Sequence, residues 1–195
     1  MKYGIGFAVA LVLGAALCVG WVDQPVALFF AAHDGARAVF QACAAPSLLA
    51  LPWAGCVLVY AVWRQWRGLP PVALGWLAVC AATIAATAAK DELKWIFGRP
   101  WPETWLKYGA YNFHPLTTSL AYGAFPSGHT SYISAPLCVL WVIAPRWRLA
   151  YAAVIFLVMF GLVGANYHFV GDVLGGLLTG MLCAWGSLVL MRAPR

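Results

Sequence analysis

Residues 168–191 read HFVGDVLGGLLTGMLCAWGSLVLM. His168 and Asp172, four residues apart, stand at the head of a run, 172–191, with no charged side chain after Asp172. A stretch of about 20 apolar residues is what a helix needs to cross the hydrocarbon of a bilayer. Ionisable residues at such a boundary are costly unless they are paired or used. Working back toward the N-terminus, apolar segments of similar length recur near 149–167, 130–145, 71–90, 47–63 and 4–22.

Composition agrees with that reading. Hydrophobic residues make up 64% of the 195 positions and charged residues 9%, whereas soluble domains are about half apolar and about a quarter charged. Mean hydropathy is +0.81. The chain reads as an all-α integral membrane protein, a six-transmembrane-helix bundle. No polar linker or low-complexity tract divides residues 1–195, so one membrane-embedded domain is expected. A net charge of +6 would point to nucleic acid in a soluble protein; here it belongs to the flanks of the spans, and no nucleic-acid partner is expected. The six cysteines lie mostly inside apolar runs without a Cys-x-x-Cys pair, which gives no sign of a zinc site or disulfide framework.

The first apolar run follows Lys2 and also has the outline of a secretory signal. It is long for one and lacks a convincing cleavage site, so a retained helix is expected. Segment 23–46, with Asp23, Asp34 and Arg37, reads as amphipathic and suited to lie along the interface. A cytoplasmic N-terminus puts Lys2, Arg64, Arg67, Arg146, Arg148, Arg192 and Arg195 on one side, as the positive-inside rule requires. Asp23, Asp34, Asp91, Glu92, Glu103 and Asp172 then share the opposite, extracytoplasmic face with His33, His114, His129 and His168. The expected location is a bacterial inner membrane, with the site facing the periplasm or exterior.

Three constellations on that face carry chemistry. Pro126-Ser127-Gly128-His129-Thr130 precedes an apolar run, where a helix N-terminus offers unpaired N–H groups to an anion. Ser127 can add a hydroxyl and Gly128 a close backbone approach, although Ser127 also suits a plain N-cap. His168 is a candidate nucleophile for a phosphoryl group. Asp172, on the same face if the backbone is helical, would fix its tautomer. Their plainer reading is a helix cap beside an interfacial histidine. The third stretch, 94–102, reads KWIFGRPWP. Lys94 and Arg99 there suit phosphate oxygens, and Trp95, Trp101 and Trp105 suit headgroup depth.

Together these elements resemble the type 2 phosphatidic acid phosphatase superfamily, membrane lipid phosphatases related to vanadium haloperoxidases. That family shows Lys-x6-Arg-Pro, Pro-Ser-Gly-His and Ser-Arg-x5-His-x3-Asp in this order. Lys94 and Pro102 match the first motif, Pro126 to His129 the whole of the second, and His168 and Asp172 the end of the third. The resemblance covers about residues 50–191. It departs at two phosphate-binding arginines: Trp101 stands at one position, and Leu162, after Gly161, at the other. Arg99, two residues before Trp101, is placed to substitute, with Asn166 and Lys107 as weaker candidates.

The resemblance implies metal-independent dephosphorylation of a lipid phosphate or diphosphate, with undecaprenyl diphosphate, phosphatidylglycerol phosphate, phosphatidic acid and lipid A as candidates. His168 would attack phosphorus while Asp172 holds its ring. His129 would act as acid and then base, and Lys94, Arg99, Ser127 and Gly128 would bind the oxygens. No cofactor is implied.

The residues also admit a metal-dependent hydrolase using His129, His168, Asp172 and Glu103, a serine protease using Ser127, or a non-catalytic lipid-binding or scaffold protein in which the missing arginines mark decay. Gly171, Gly175, Gly176 and Gly180, with the alanines of 81–89, permit close helix packing within the bundle or in a homodimer.

Overall fold

The computed structural model describes residues 2–191, and among them it is all helical. The helices are α1 (Lys2–Leu17), α2 (Asp23–Ala32), α3 (Arg37–Ala44), α4 (Ala50–Trp66), α5 (Leu74–Phe97), α6 (Pro102–Tyr108), α7 (Gly128–Ile143), α8 (Arg148–Gly164) and α9 (Val170–Met191). A wider turn of π-helix, Cys18–Val22, joins α1 to α2. Short 3-10 turns, Asp34–Ala36 and Ala45–Leu49, flank α3.

Among the described residues, four helical stretches are long and apolar enough to cross a membrane: Gly4–Ala32, Asp34–Trp66, Pro145–Gly164 and Val170–Met191. The helix Gly128–Ile143 is apolar but shorter. Segment 23–46 differs from the expected separate interfacial element. It is helical almost throughout and continues the helices on both sides, with Asp23 buried rather than facing out. Asp34 is exposed as its sequence context suggests, whereas Asp23 looks like a solvated flank but has an ion-pair partner far along the chain. Arg192, Arg195 and the Lys2 side chain, used for the orientation argument, lie outside the described residues.

Packing follows the rule for helices in lipid, where small residues let backbones approach and large apolar side chains face outward. The core of α5, α7 and α9 is built from Ala78, Val79, Ala82, Ala86, Ala135, Val139 and Ala184. Leu149, Leu190 and Val59 are 86%, 75% and 71% exposed on the outer surface. Of the alanines in 81–89, Ala82 and Ala86 are buried while Ala85 faces out.

Gly175, Gly176 and Gly180 of α9 meet α7 or the segment that leads into it, whereas Gly171 meets Asp23, Ala15 and Arg99. A Cβ on Gly176 would lie 2.5 Å from the Ser127 carbonyl, and one on Gly175 2.5 Å from the Phe125 ring. α7, which carries His129, and α9, whose start follows His168 by two residues, are therefore in backbone contact at the end where both motifs begin. The Ser127 N–H donates to the Asp172 carbonyl at 2.9 Å and ties the two helix starts together.

Candidate active site

α9 begins at Val170, two residues after His168, which lies in the short connection from α8. The connection turns sharply at Asn166, whose φ is 58°. Asn166 donates from its side-chain amide to the Ala27 carbonyl at 3.0 Å, which pins this turn to α2. The Asp172 carboxylate caps α9 by accepting from the Phe169 N–H at 2.9 Å. The same oxygen, Oδ2, lies 3.5 Å from His168 Nδ1. That separation is longer than a good hydrogen bond, but such contacts often tighten only when substrate is present.

His129 opens α7, whose N-cap is Ser127: its hydroxyl oxygen accepts from the Thr130 N–H at 3.4 Å and from the Thr130 hydroxyl at 3.2 Å. The His129 and His168 ring centroids are 6.4 Å apart. A group near 3 Å from each would bridge them, the spacing needed for a nucleophile and an acid on either side of one phosphorus.

Lys94, in the last turn of α5, holds its ammonium 4.9 Å from the centre of the Trp101 ring. The other partner of Trp101 is His168, at 5.0 Å between centroids. Trp101, at the position of a motif arginine, thus fills the space between lysine and histidine with an aromatic ring. Its indole N–H donates to the Leu120 carbonyl at 2.8 Å and fixes the ring.

Lys90, one turn before Lys94, was not singled out by the sequence. Its stem packs on Gly128, where a Cβ would lie 2.6 Å from Lys90 Cδ. Its ammonium is paired with the exposed carboxylate of Asp91. The signal was present in the i, i+4 spacing of Lys90 and Lys94, which places both on one face of α5.

Arg99 is placed differently from the other residues of its motif. Gly98 ends α5 with φ 56°, and a side chain there would collide with the His114 carbonyl. The chain then turns inward and buries Arg99 completely. One terminal nitrogen donates to Asp172 Oδ1 at 2.6 Å and the other to Asp23 Oδ2 at 2.6 Å. The second also donates to the Tyr111 hydroxyl at 3.0 Å, and Tyr111 donates to the Val19 carbonyl in the π-helical turn at 2.7 Å. The guanidinium sits 4.5 Å from the centre of the Phe169 ring. Asp23 in turn accepts from the Gly171 N–H at 2.9 Å. Breaking a buried ion pair by removing one partner commonly costs about 3–5 kcal/mol.

The electrostatics of the two histidines differ in their sources. Burial pushes His168 below its ordinary value, and the Asp172 carboxylate opposes that push. Burial, then His168, Lys94 and Lys90, lower His129 to about 4, so it is neutral in the empty site at pH 7. Burial, then Lys90, also lowers Lys94, which lies beyond the apolar part of α5. Asp91 and Asp172 act the other way on Lys94, and the two lysines with His129 form the cationic side of the site, suited to receive an anion.

The structure therefore brings His168, Asp172, His129, Ser127, Gly128 and Lys94 to one end of the bundle. It sets Leu162 in the core with Val158 and Val173. Lys107 lines a separate pocket with Asp34, Arg37, Glu103 and Asn166. Among the described residues no three His, Cys, Asp or Glu side chains gather as a metal-binding group, which includes the quartet His129, His168, Asp172 and Glu103.

Comparison with known proteins bears on the family. A lipid A 1-phosphatase of Rhizobium johnstonii is 28% identical over 164 residues, covering 84% of this chain and 57% of that protein. A lipid A 1-phosphatase of Rhizobium etli is 32% identical over 97 residues, covering 50% of this chain and 40% of that protein. The chain thus spans about half the length of these curated relatives. No solved structure matches it significantly. The family model of the PAP2 superfamily matches residues 75–195, which include both histidine motifs and Lys94. That is well over half of the chain, and the protein belongs to the PAP2 superfamily.

Proposed function

We propose that this protein is a lipid phosphatase acting on a membrane lipid phosphate, with the 1-phosphate of lipid A as the first substrate to examine. The observation that carries the reading is the facing pair His168 and His129, 6.4 Å apart between ring centroids, with Asp172 against the first. The named activity of the two relatives supports the substrate class.

In this mechanism His168 attacks phosphorus in line, and the bond to the lipid oxygen breaks as the N–P bond forms. His129 gives its proton to the departing oxygen. The incoming phosphate dianion offsets the lysines that hold His129 down, so binding itself favours the protonated acid. His129 then takes a proton from water, which attacks the phosphohistidine and releases inorganic phosphate. Lys94 and Lys90 supply positive charge to the equatorial oxygens, with the Gly128 N–H and the Ser127 hydroxyl hydrogen as neutral donors. The site opens on the extracytoplasmic face of a six-helix bundle in the inner membrane, as the distribution of basic residues between spans favours.

The test is phosphate release by the purified full chain from lipid A 1-phosphate, undecaprenyl diphosphate, phosphatidylglycerol phosphate and phosphatidic acid, with a strong chelator present. Turnover of at least one lipid is expected, together with its loss in His168→Ala. An inactive wild-type protein would leave the non-catalytic lipid-binding reading, and an active His168→Ala would reject the nucleophile.

A further inference from the structure

Arg99 and Asp23 are buried, charged and outside the phosphate-binding roles of the mechanism, which raises the question of what they do. We propose that Asp23 and Arg99 are positioning residues that hold the Asp172 carboxylate, and through it the His168 ring, from the N-terminal helical segment.

The geometry assigns each contact a direction. Asp172 has two carboxylate oxygens, and Arg99 takes Oδ1 while Oδ2 is left to the Phe169 N–H and His168 Nδ1. With Oδ1 held by Arg99 and Oδ2 by the Phe169 N–H, the carboxylate plane is fixed and Oδ2 stays beside the imidazole. Arg99 is held in turn at its other terminal nitrogen by Asp23 and Tyr111. Asp23 also accepts from Gly171, the residue before Asp172, so it fixes both the arginine and the backbone that carries the aspartate. The π-helical turn Cys18–Val22 presents Asp23 at this depth and gives the Val19 carbonyl to Tyr111. Wide turns of this kind recur at functional sites.

The charge count makes the arrangement readable. Arg99 carries one positive charge and Asp23 and Asp172 two negative ones, so the cluster is net negative beside His168. Lys94 and His129 are the other charged or titratable groups facing that imidazole. Removing the arginine leaves the Asp172 charge undivided and stabilises the His168 imidazolium. Removing the charge of Asp23 leaves Arg99 free to neutralise Asp172 fully and does the reverse.

The experiment is an NMR titration of the His168 imidazole in the detergent-solubilised full chain, paired with steady-state kinetics. Arg99→Gln should raise the midpoint by about one pH unit and Asp23→Asn should lower it, as charges a few ångströms away at protein-like dielectric predict. Both should cut kcat about tenfold or more while KM stays within about twofold, the pattern of an interaction that matters in the transition state. Arg99→Lys should recover part of the loss.

If Arg99→Gln does not fold, the double variant Asp23→Asn/Arg99→Gln keeps the original net charge and should fold with low kcat. Normal kcat in that double variant, or midpoints that do not move in opposite directions, would overturn the proposal. The kinetic arm rests on the lipid phosphatase reading and the titration does not. An inactive wild type with the expected midpoints therefore fails that reading alone.

Discussion

The two sides of the site use positive charge in opposite ways. On the His168 side the arginine is fully buried, bound to two carboxylates and closed in by Phe169, Phe113 and Tyr111. On the His129 side the charges of Lys94 and Lys90 lower the histidine, Lys94 lies over the face of Trp101, and the one carboxylate paired there, Asp91, is exposed. A guanidinium is rigid, planar and able to grip two carboxylates at once, which suits positioning. An ammonium on a flexible stem is a movable point charge, which suits an anion that arrives and leaves. The difference teaches that a conspicuous arginine at such a site can be taken up by carboxylates, and in the proposed mechanism the lysines, not Arg99, meet the phosphate.

The contact that holds the two sides together offers the largest expected effect. Gly176 of α9 abuts the Ser127 carbonyl and the Thr130 side chain of α7. Gly176→Val must push these helices apart and separate His168 from His129. Activity should fall by about a hundredfold or more, since an ångström of misplacement can cost that much. Gly186→Val, at a position with open space around it, should leave activity unchanged. Equal behaviour of the two variants in a turnover and thermal-melting comparison would show that the α7–α9 seam does not set the site.

The lysine side can be divided by single substitutions. Lys94→Ala removes the ammonium at the end of α5 and should cost about a hundredfold in kcat/KM, as loss of one oriented charge donor typically does. Lys90→Ala should cost less, about tenfold, because its ammonium is shared with exposed Asp91. Steady-state assays of both variants at low ionic strength would rank them. A larger loss from Lys90→Ala would invert the assignment and make Lys90 the principal cation.

Much of this was legible in the sequence. His168 and His129 stood out as candidates because their motifs lie at the heads of apolar runs, where ionisable residues are expensive to keep, and the structure brings the two rings together. The glycine spacing of α9 announced close packing, and the structure adds that α7 is its partner. Arg99 was legible only as a cation in a promising loop. Its partner Asp23 lies 76 residues earlier, in a segment whose charges look like an interfacial pattern. No local periodicity encodes an ion pair of that range. Lys90 was overlooked because its neighbours Asp91 and Glu92 make the stretch read as a solvated helix end.

Ser127 gives the smallest expected effect and separates structure from chemistry at the helix start. Its oxygen accepts from the Thr130 N–H and hydroxyl, and it is wholly buried. Ser127→Ala removes the cap of α7 and should lower stability by about 1 kcal/mol. The hydroxyl hydrogen, directed to the phosphate in the proposed mechanism, should add a loss of about threefold to tenfold in kcat/KM. Ser127→Asn restores a capping oxygen but not a hydroxyl in the same place. It should recover stability and leave the kinetic loss, as read by thermal unfolding beside turnover. Recovery of both together would show that Ser127 acts through the helix alone, and that Gly128 and the two lysines carry the phosphate contacts at this end of α7.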